Sequence, residues 1–220
     1  MGRFSLERII DKIRTNVLKF INNPKSLIAY LPAIVRGSIY IVWFRLFRKN
    51  TRIVFPFLAF AKVKIIGPGT VRIGKGCNVQ KNVFRGLTIV TRSDGSEVTI
   101  GEKCLLGGLT IRCWDRIDIG ARIMTAVSLV QDSFFSNMGD VASRGDNDRI
   151  LGPKPVTIGS NSWVGMDSIV LGGSRIGNDC VLSAGTWCSG NMTNDYTLVT
   201  GNPSRRPMPI EKLLTLKGIE

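Results

Sequence analysis

The sequence predicts an all-β solenoid in which short parallel strands wind into triangular coils. Between residues 158 and 187 an aliphatic residue returns at every sixth position, and a small residue stands four positions after each one. The aliphatic residues are Ile158, Val164, Val170, Ile176 and Leu182, and the small residues are Ser162, Ser168, Ser174, Cys180 and Thr186. A period of six fits neither a 3.6-residue helix nor an isolated hairpin, but it suits coils whose flat faces each span one hexapeptide. We therefore expect the aliphatic side chains to point inward and the small ones to fill the corners.

The part before the repeats, residues 1–50, is predicted to be a basic helical segment. Apolar residues recur at three- and four-residue spacing from Phe4 to Ile21 with Lys and Arg between them, which is typical of an amphipathic helix. A second apolar stretch, Leu27 to Phe47, is interrupted by proline, glycine and two arginines. Because a bilayer-spanning helix needs about 20 predominantly apolar residues, we expect this stretch to lie at a membrane surface rather than to cross it.

Two uses of residues 1–50 stay open at this stage. In the first, Tyr40 and Trp43 lie at headgroup level, with four cations against anionic lipid. These cations are Arg45, Arg48, Lys49 and Arg52. In the second, the same helices cover the open end of the solenoid or pack between subunits.

Charge supports a partner that carries phosphates. Residues 1–52 contain eleven Lys or Arg against two acids, within a chain of net charge +14. No nucleic-acid-binding motif accompanies this charge, so nucleic acid is not an expected partner. No signal peptide is apparent, and we expect a cytoplasmic protein, on the inner face of the plasma membrane if residues 1–50 bind lipid.

The solenoid is predicted to occupy residues 51–208. Residues 51–61 are expected to form a first, irregular coil, and the repeat then becomes visible at Ile73-Gly74, Ile100-Gly101, Leu106-Gly107 and Ile119-Gly120. An insertion at 132–156 breaks the register, and so long an excursion inside a compact repeat is usually functional. A turn at Asn202-Pro203 leads into a C-terminal helix within 209–220. The five cysteines are odd in number and form no CxxC pair, so we expect small core residues in a reducing compartment and no metal site.

Three stretches resemble the hexapeptide-repeat acyltransferases: NSWVG (161–165), IGNDCVLSAGT (176–186) and GNPSRR (201–206). The resemblance covers roughly residues 65–210 and is strongest to O-acetyltransferases of surface-polysaccharide assembly and to sugar acetyltransferases. It implies a left-handed parallel β-helix, a homotrimer, and acetyl-CoA as the acetyl donor. It also implies that the insertion reaches a neighbouring subunit and helps to form the acceptor site.

The same resemblance assigns candidate site residues. Met166, which follows Gly165, would offer its backbone N–H to the oxyanion, and Trp163 would line the acceptor pocket. The remaining candidates would hold the cofactor: Gly165, Ala184, Gly185 and Ser189 along the pantetheine arm, and Arg205 and Arg206 on the phosphates.

The base is the missing part, because the chain contains no histidine. The position where the family carries its catalytic histidine falls on Phe135 or Ser136, which we expect at the acceptor site, and neither is a base near neutral pH. Asp132 is the first candidate replacement, provided that burial raises its pKa, and Asp140, Asp146 and Asp148 are others. Alternatively, the acceptor is a sugar amine that needs no protein base, or the remaining groups catalyse slowly.

The sequence therefore predicts an acetyl-CoA-dependent acyltransferase acting on a sugar hydroxyl or amine of a surface-polysaccharide or lipid-linked glycan precursor. The competing hypothesis is a non-catalytic binding or scaffold protein of the same machinery. Carbonic anhydrases of the same architecture hold zinc with three histidines, which excludes that class here. A nucleotidyltransferase with a hexapeptide tail would need a preceding α/β domain, and 220 residues leave no room for one.

Overall fold

The computed structural model describes residues 24–81, 85–133 and 152–211. Within these ranges the chain forms one helix, α1 (Pro24–Phe47), and twenty strands that build three sheets. Sheet A contains β1 (Thr51–Ile53), β4 (Thr70–Ile73), β7 (Glu97–Ile100), β10 (Arg116–Ile119), β13 (Val156–Ile158) and β16 (Arg175–Ile176). Sheet B contains β2 (Phe57–Ala59), β5 (Cys77–Val79), β8 (Leu105–Gly107), β11 (Met124–Ala126), β14 (Trp163–Val164), β17 (Val181–Leu182), β19 (Thr197–Val199) and β20 (Met208–Pro209). Sheet C contains β3 (Val63–Ile66), β6 (Leu87–Thr91), β9 (Thr110–Cys113), β12 (Leu129–Gln131), β15 (Ile169–Leu171) and β18 (Trp187–Ser189).

Strand order shows how the chain winds. From β1 to β18, successive strands visit sheets A, B and C in turn, and each strand from β1 to β15 pairs in parallel with the strand three positions later. The described chain thus completes six triangular coils, and β19 begins a seventh before β20 closes the end by antiparallel pairing. The predicted fold class, a left-handed parallel β-helix, is confirmed. We name its edges the A–B, B–C and C–A corners after the sheets that they join.

The hexapeptide pattern packs as expected. All five aliphatic residues of the repeat are at most 3% exposed, and all five small residues are at most 1% exposed. Glycines at the corners allow successive coils to approach closely, since a Cβ on Gly159 would lie 2.5 Å from the carbonyl carbon of Gly177. The five cysteines are free thiols within this core, as predicted.

Helix α1 covers the first coil, which is one of the two uses that the sequence left open. Ala33 and Phe44 are buried, and a Cβ on Gly37 would lie 1.8 Å from the carbonyl oxygen of Phe57 in β2. The backbone N–H of Val63 donates to the Tyr40 hydroxyl at 3.2 Å. The second apolar stretch lies within this one continuous helix, which contains Pro32. The amphipathic helix predicted for 4–21 lies outside the described residues.

The insertion lies at the C–A corner between the fourth and fifth coils. Strand β12 of sheet C ends at Gln131 and strand β13 of sheet A begins at Val156, and the backbone N–H of Lys154 donates to the Asp132 carbonyl at 2.7 Å. This bond joins the two ends of the insertion, so the solenoid continues in register beyond it. Phe135, Ser136 and the acidic residues of 140–148 lie outside the described residues. Of the expected C-terminal helix, Ile210 and Glu211 are helical and the rest lies outside them.

Candidate active site

The oxyanion candidate sits in a tight turn at the B–C corner of the fifth coil. The turn runs from Gly165 to Ser168, closed by the Ser168 N–H donating to the Gly165 carbonyl at 3.3 Å. Asp167, its third residue, has φ of 55°, as in a type II turn. The Gly185 N–H donates to the Met166 carbonyl at 2.7 Å, which stacks the same corner of the sixth coil directly on this turn.

The backbone N–H of Met166 makes no hydrogen bond to any residue that the structure describes. The contrast with the A–B corner explains why. There, in the fourth, fifth and sixth coils, the equivalent N–H is capped by a side chain of the next coil: Ala121 by Ser160, Ser160 by Asn178, and Asn178 by Asp195, at 3.1, 2.8 and 2.7 Å. Above Met166 stands Ala184, which has no side-chain acceptor. Because Met166 is 42% exposed, the open N–H can be satisfied by water or by a ligand oxygen.

Beside this donor lies a slot that, within the part of the chain that the structure describes, is lined by backbone and by no large side chain. Ala184 and Gly185 are both exposed, and a Cβ on Gly185 would meet no atom within 4 Å. Gly185 has φ of 69°, in the left-handed region that glycine adopts without strain. A thin, flexible chain such as a pantetheine arm can therefore approach the backbone of the sixth coil closely.

Two tryptophans flank the corner. Trp163 projects outward from sheet B and is 49% exposed, while Trp187 projects outward from sheet C and is 40% exposed. Sequence reasoning named the first and missed the second. The available signal was the alternation of the repeat, since Trp187 lies between the inward-facing Thr186 and Cys188 and must point outward.

The basic C-terminal segment lies above the same corner. The Trp187 N–H donates to the Gly201 carbonyl at 3.0 Å, and the Arg205 N–H donates to the Thr200 carbonyl at 2.7 Å. Arg205 packs over Gly201, and both it and the following Arg206 are exposed. The corner thus combines an open donor, a bare slot, two aromatic walls and nearby cations.

Ser189 lies apart from the other cofactor candidates. It ends β18, one strand length from the B–C corner, and its N–H donates to the Asn191 side chain at 2.7 Å. Gly165, Ala184, Gly185 and Arg205 therefore share one corner, whereas Ser189 approaches the next one. A ligand that touches both ends must lie along the outer face of sheet C.

Asp132 caps a turn in the core of the C–A corner. It has no exposed surface, and its carboxylate accepts from the N–H groups of Trp114 (2.9 Å) and Asp115 (2.6 Å). Burial raises the pKa of the Asp132 carboxyl above its ordinary value, although the two N–H donors pull the pKa down. A raised pKa is what the base hypothesis requires, but the bonding gives the carboxylate a structural role as well.

Asp132 and Met166 are not brought together within one chain. They occupy different corners, with β15 and its flanking turns between them, a separation on the order of 15 Å at about 3.3 Å per residue. A base and an oxyanion donor must each lie within about 3 Å of the reacting group. The two residues can therefore serve one reaction centre only across a subunit boundary, and the role of Asp132 as a base stays a prediction.

A family model and a curated relative both match parts of this chain. Residues 155–190, which form the fifth and sixth coils, match the family model for the bacterial transferase hexapeptide (six repeats). A curated protein of Mycobacterium tuberculosis, named as a probable acetyltransferase, is 28% identical over 157 residues. That match covers 66% of this chain but only 52% of the relative, so the chain spans about half of the relative's length. The resemblance to hexapeptide-repeat transferases is thus confirmed over the coils that carry the candidate site.

Solved structures with similar coils were also found. A hexapeptide transferase family protein from Anaplasma phagocytophilum is 19% identical, with 76% of this chain and 85% of that chain covered at a TM-score of 0.46. A variant of AntD, an N-acyltransferase from Bacillus cereus, in complex with dTDP and coenzyme A, is 18% identical, with 76% and 89% covered at a TM-score of 0.47.

Proposed function

We propose that the protein transfers an acetyl group from acetyl-CoA to a sugar hydroxyl or amine of a surface-polysaccharide or lipid-linked glycan precursor. The observation that carries this proposal is the open backbone N–H of Met166 beside the bare slot of Ala184 and Gly185. Attack on a thioester converts its carbonyl oxygen into an oxyanion, and a preorganised N–H donor stabilises that charge by about 3 to 4 kcal/mol. The matched hexapeptide segment and the acetyltransferase name of the curated relative support the same chemistry.

In this proposal the B–C corner holds the cofactor. The pantetheine arm lies against Gly185, which directs the thioester toward Met166 one coil below. Arg205 and Arg206 are exposed above the slot and supply positive charge for the cofactor's phosphates. Trp163, on the outer face of sheet B, then offers an aromatic wall on which a sugar ring can pack.

The acceptor must lose a proton during the transfer. An amine acceptor attacks as the neutral free base and passes its proton to water or to the departing thiolate, so the enzyme need not supply a base. A hydroxyl acceptor requires a base in the transition state, and a general base typically contributes 10² to 10⁴-fold. Since the chain has no histidine, hydroxyl transfer would depend on a carboxylate of the insertion, with Asp132 as the described candidate.

A homotrimer is part of the proposal because the outer faces of the sheets differ. Sheets B and C carry outward apolar residues next to the site, among them Met124, Trp163, Ile169 and Trp187. Sheet A instead carries outward charges, including Arg72, Glu97, Arg116 and Asp118. Packing of the apolar faces between copies would bury them and bring the C–A insertion of one copy toward the B–C corner of another.

The test is release of coenzyme A in the presence of acceptors. A thiol reagent monitors turnover cleanly, because all five cysteines of the folded protein are buried. Acetyl-CoA is supplied with nucleotide-linked amino sugars, hydroxyl sugars and lipid-linked glycans in separate arms. Acceptor-dependent thiol release is the expected result. Tight acetyl-CoA binding without turnover in any arm would favour the scaffold hypothesis, and absence of acetyl-CoA binding would overturn the proposal.

A further inference from the structure

The outward side of α1 is a continuous apolar surface, which we call the α1 outer face. Its residues are each at least 37% exposed and recur at helical spacing along the axis. They are Leu31, Ile34, Val35, Ile39, Val42, Trp43, Leu46 and Phe47. Trp43 and Phe47 stack at a ring-centroid distance of 4.3 Å near the C-terminal end. An exposed apolar patch of this extent marks an interaction surface.

A basic cleft adjoins the same end of the helix. It is lined by Arg45, Lys49 and Arg52, with the exposed apolar side chains of Val54 and Phe55 beside them. None of the three cations pairs with a carboxylate among the described residues. Between residues 24 and 52 the chain has six Lys or Arg and no Asp or Glu. The cleft therefore offers unneutralised positive charge next to apolar surface.

The inner side of α1 is committed to the solenoid over nearly the same length. Tyr30 packs edge-on against Phe60 at 5.1 Å, and Arg36 donates to the Phe60 carbonyl at 3.2 Å. Near the other end, Phe44 is buried and Arg48 donates to the Ile65 carbonyl at 2.6 Å. These contacts bracket the apolar window from Tyr30 to Phe47, which by length and composition alone could cross a membrane.

This two-sided arrangement decides between crossing a bilayer and lying on it. If the helix crossed, its inner side would draw the first coil, with its polar turns, into the hydrocarbon, where unpaired backbone groups cost several kcal/mol each. A helix lying in the interface buries only its outer face and keeps its inner contacts. The structure fits the second arrangement, with Trp43 at headgroup depth.

Charge decides between lipid and another copy of the chain. Two copies meeting through this surface would bring their basic clefts together, in a protein of net charge +14. Anionic headgroups instead complement Arg45, Lys49 and Arg52, each cation near such a surface contributing about 1 kcal/mol. We infer that the α1 outer face inserts into one leaflet of an anionic membrane while the basic cleft binds lipid phosphates. This inference does not depend on the proposed acyl transfer.

Vesicle flotation with the full chain tests the inference. The protein is expected to float with vesicles containing phosphatidylglycerol and to bind phosphatidylcholine vesicles more weakly. Ile39→Glu, in the middle of the outer face, should lower the partition coefficient by about tenfold or more, because it removes an aliphatic side chain that the bilayer would bury. Arg45→Glu should lower partition into anionic vesicles more than about fivefold, the loss expected for one cation. Its effect should shrink at high salt.

Two matched controls keep the test specific. Met192→Glu places the same charge on another exposed apolar side chain, which is 70% exposed in the last coil, and Arg175→Glu repeats the charge reversal on the outer face of sheet A. Both should bind like the unaltered protein, and circular dichroism should show that all four variants fold.

Equal binding of Ile39→Glu and Met192→Glu would overturn the inference. The inference would also be overturned if the unaltered protein did not bind vesicles and Ile39→Glu changed its oligomeric state. That result would assign the α1 outer face to contact with a second copy of the chain. Resistance of membrane-bound protein to extraction at high salt and alkaline pH would show a spanning helix instead.

Discussion

The backbone N–H of Gly185 donates to the carbonyl oxygen of Met166 at 2.7 Å, which stacks the B–C corners of the fifth and sixth coils. This bond uses the Met166 carbonyl but leaves its N–H open, while the exposed backbone of Gly185 forms the slot above. The donor and the slot are therefore held in a fixed relation by the coil stacking itself.

Met166→Pro should abolish most turnover while the protein stays folded. Proline removes the backbone N–H, and it is favoured at the second position of a type II turn, where Met166 stands. Met166→Ala is the matched control, because it removes the side chain and keeps the donor. We expect kcat of the proline variant to fall by about 10² to 10³-fold relative to the alanine variant, with the Kd for coenzyme A nearly unchanged. Equal kcat values would exclude Met166 as the oxyanion donor.

Gly185→Ala should weaken coenzyme A binding, and Gly190→Ala should not. The two glycines share a left-handed backbone, with φ of 69° and 66°, and neither would place a Cβ within 4 Å of another atom. Alanine should therefore lower the stability of both variants by a similar amount, about 1 to 2 kcal/mol. Only the methyl group at 185 enters the proposed slot, so calorimetry should show a raised Kd for that variant alone. Weaker binding by Gly190→Ala alone would move the cofactor to the end of β18, near Ser189.

The sequence predicted the coils well because each hexapeptide repeats one packing rule. Ile158 and Val164 are buried for the same reason as every equivalent residue, so period alone located the core. Corner chemistry was less predictable, because an N–H such as that of Met166 is open or capped according to the residue one coil above it. That neighbour lies 18 residues away at Ala184, and identifying it requires the register. The inward position of Asp132 was hidden for the same reason, since its partners are the backbone groups of Trp114 and Asp115 in the preceding coil.

Asp132→Asn should change how stability depends on pH. Because the pKa of the Asp132 carboxyl is raised on folding, the folded state keeps this proton to higher pH than the unfolded state does. The free energy of unfolding should therefore fall as pH rises from the unfolded pKa through the folded pKa, and this fall should be absent from the asparagine variant. Denaturant titrations across acidic pH measure the difference. Asp167→Asn, which removes an exposed carboxylate, is the control and should keep the dependence of the unaltered protein.

The same Asp132 variant separates the two roles of this residue. If Asp132 is only a cap, Asp132→Asn should alter the pH dependence of stability and leave turnover at neutral pH close to that of the unaltered protein. If Asp132 is the base, turnover of Asp132→Asn should fall by about 10² to 10⁴-fold, while its Kd for coenzyme A stays unchanged. The burial of the carboxylate and its two backbone donors lead us to expect the first result.

Gly37→Ala should destabilise the protein, although alanine in a helix interior is normally favoured over glycine by about 1 kcal/mol. A Cβ at this position would lie 1.8 Å from the Phe57 carbonyl oxygen, which belongs to the backbone of β2 and cannot rotate away. The helix must therefore move off the first coil, exposing part of the surface that buries Ala33 and Phe44, and a net loss of about 1 to 3 kcal/mol is expected. Ser38→Ala, one residue further along α1, tests helix propensity without the contact and should raise stability slightly. Urea unfolding at one protein concentration compares the two variants. An increase in stability for Gly37→Ala similar to that for Ser38→Ala would show that α1 does not pack on β2 in solution. The inferred membrane orientation would then lose its support, because it depends on these inner-face contacts.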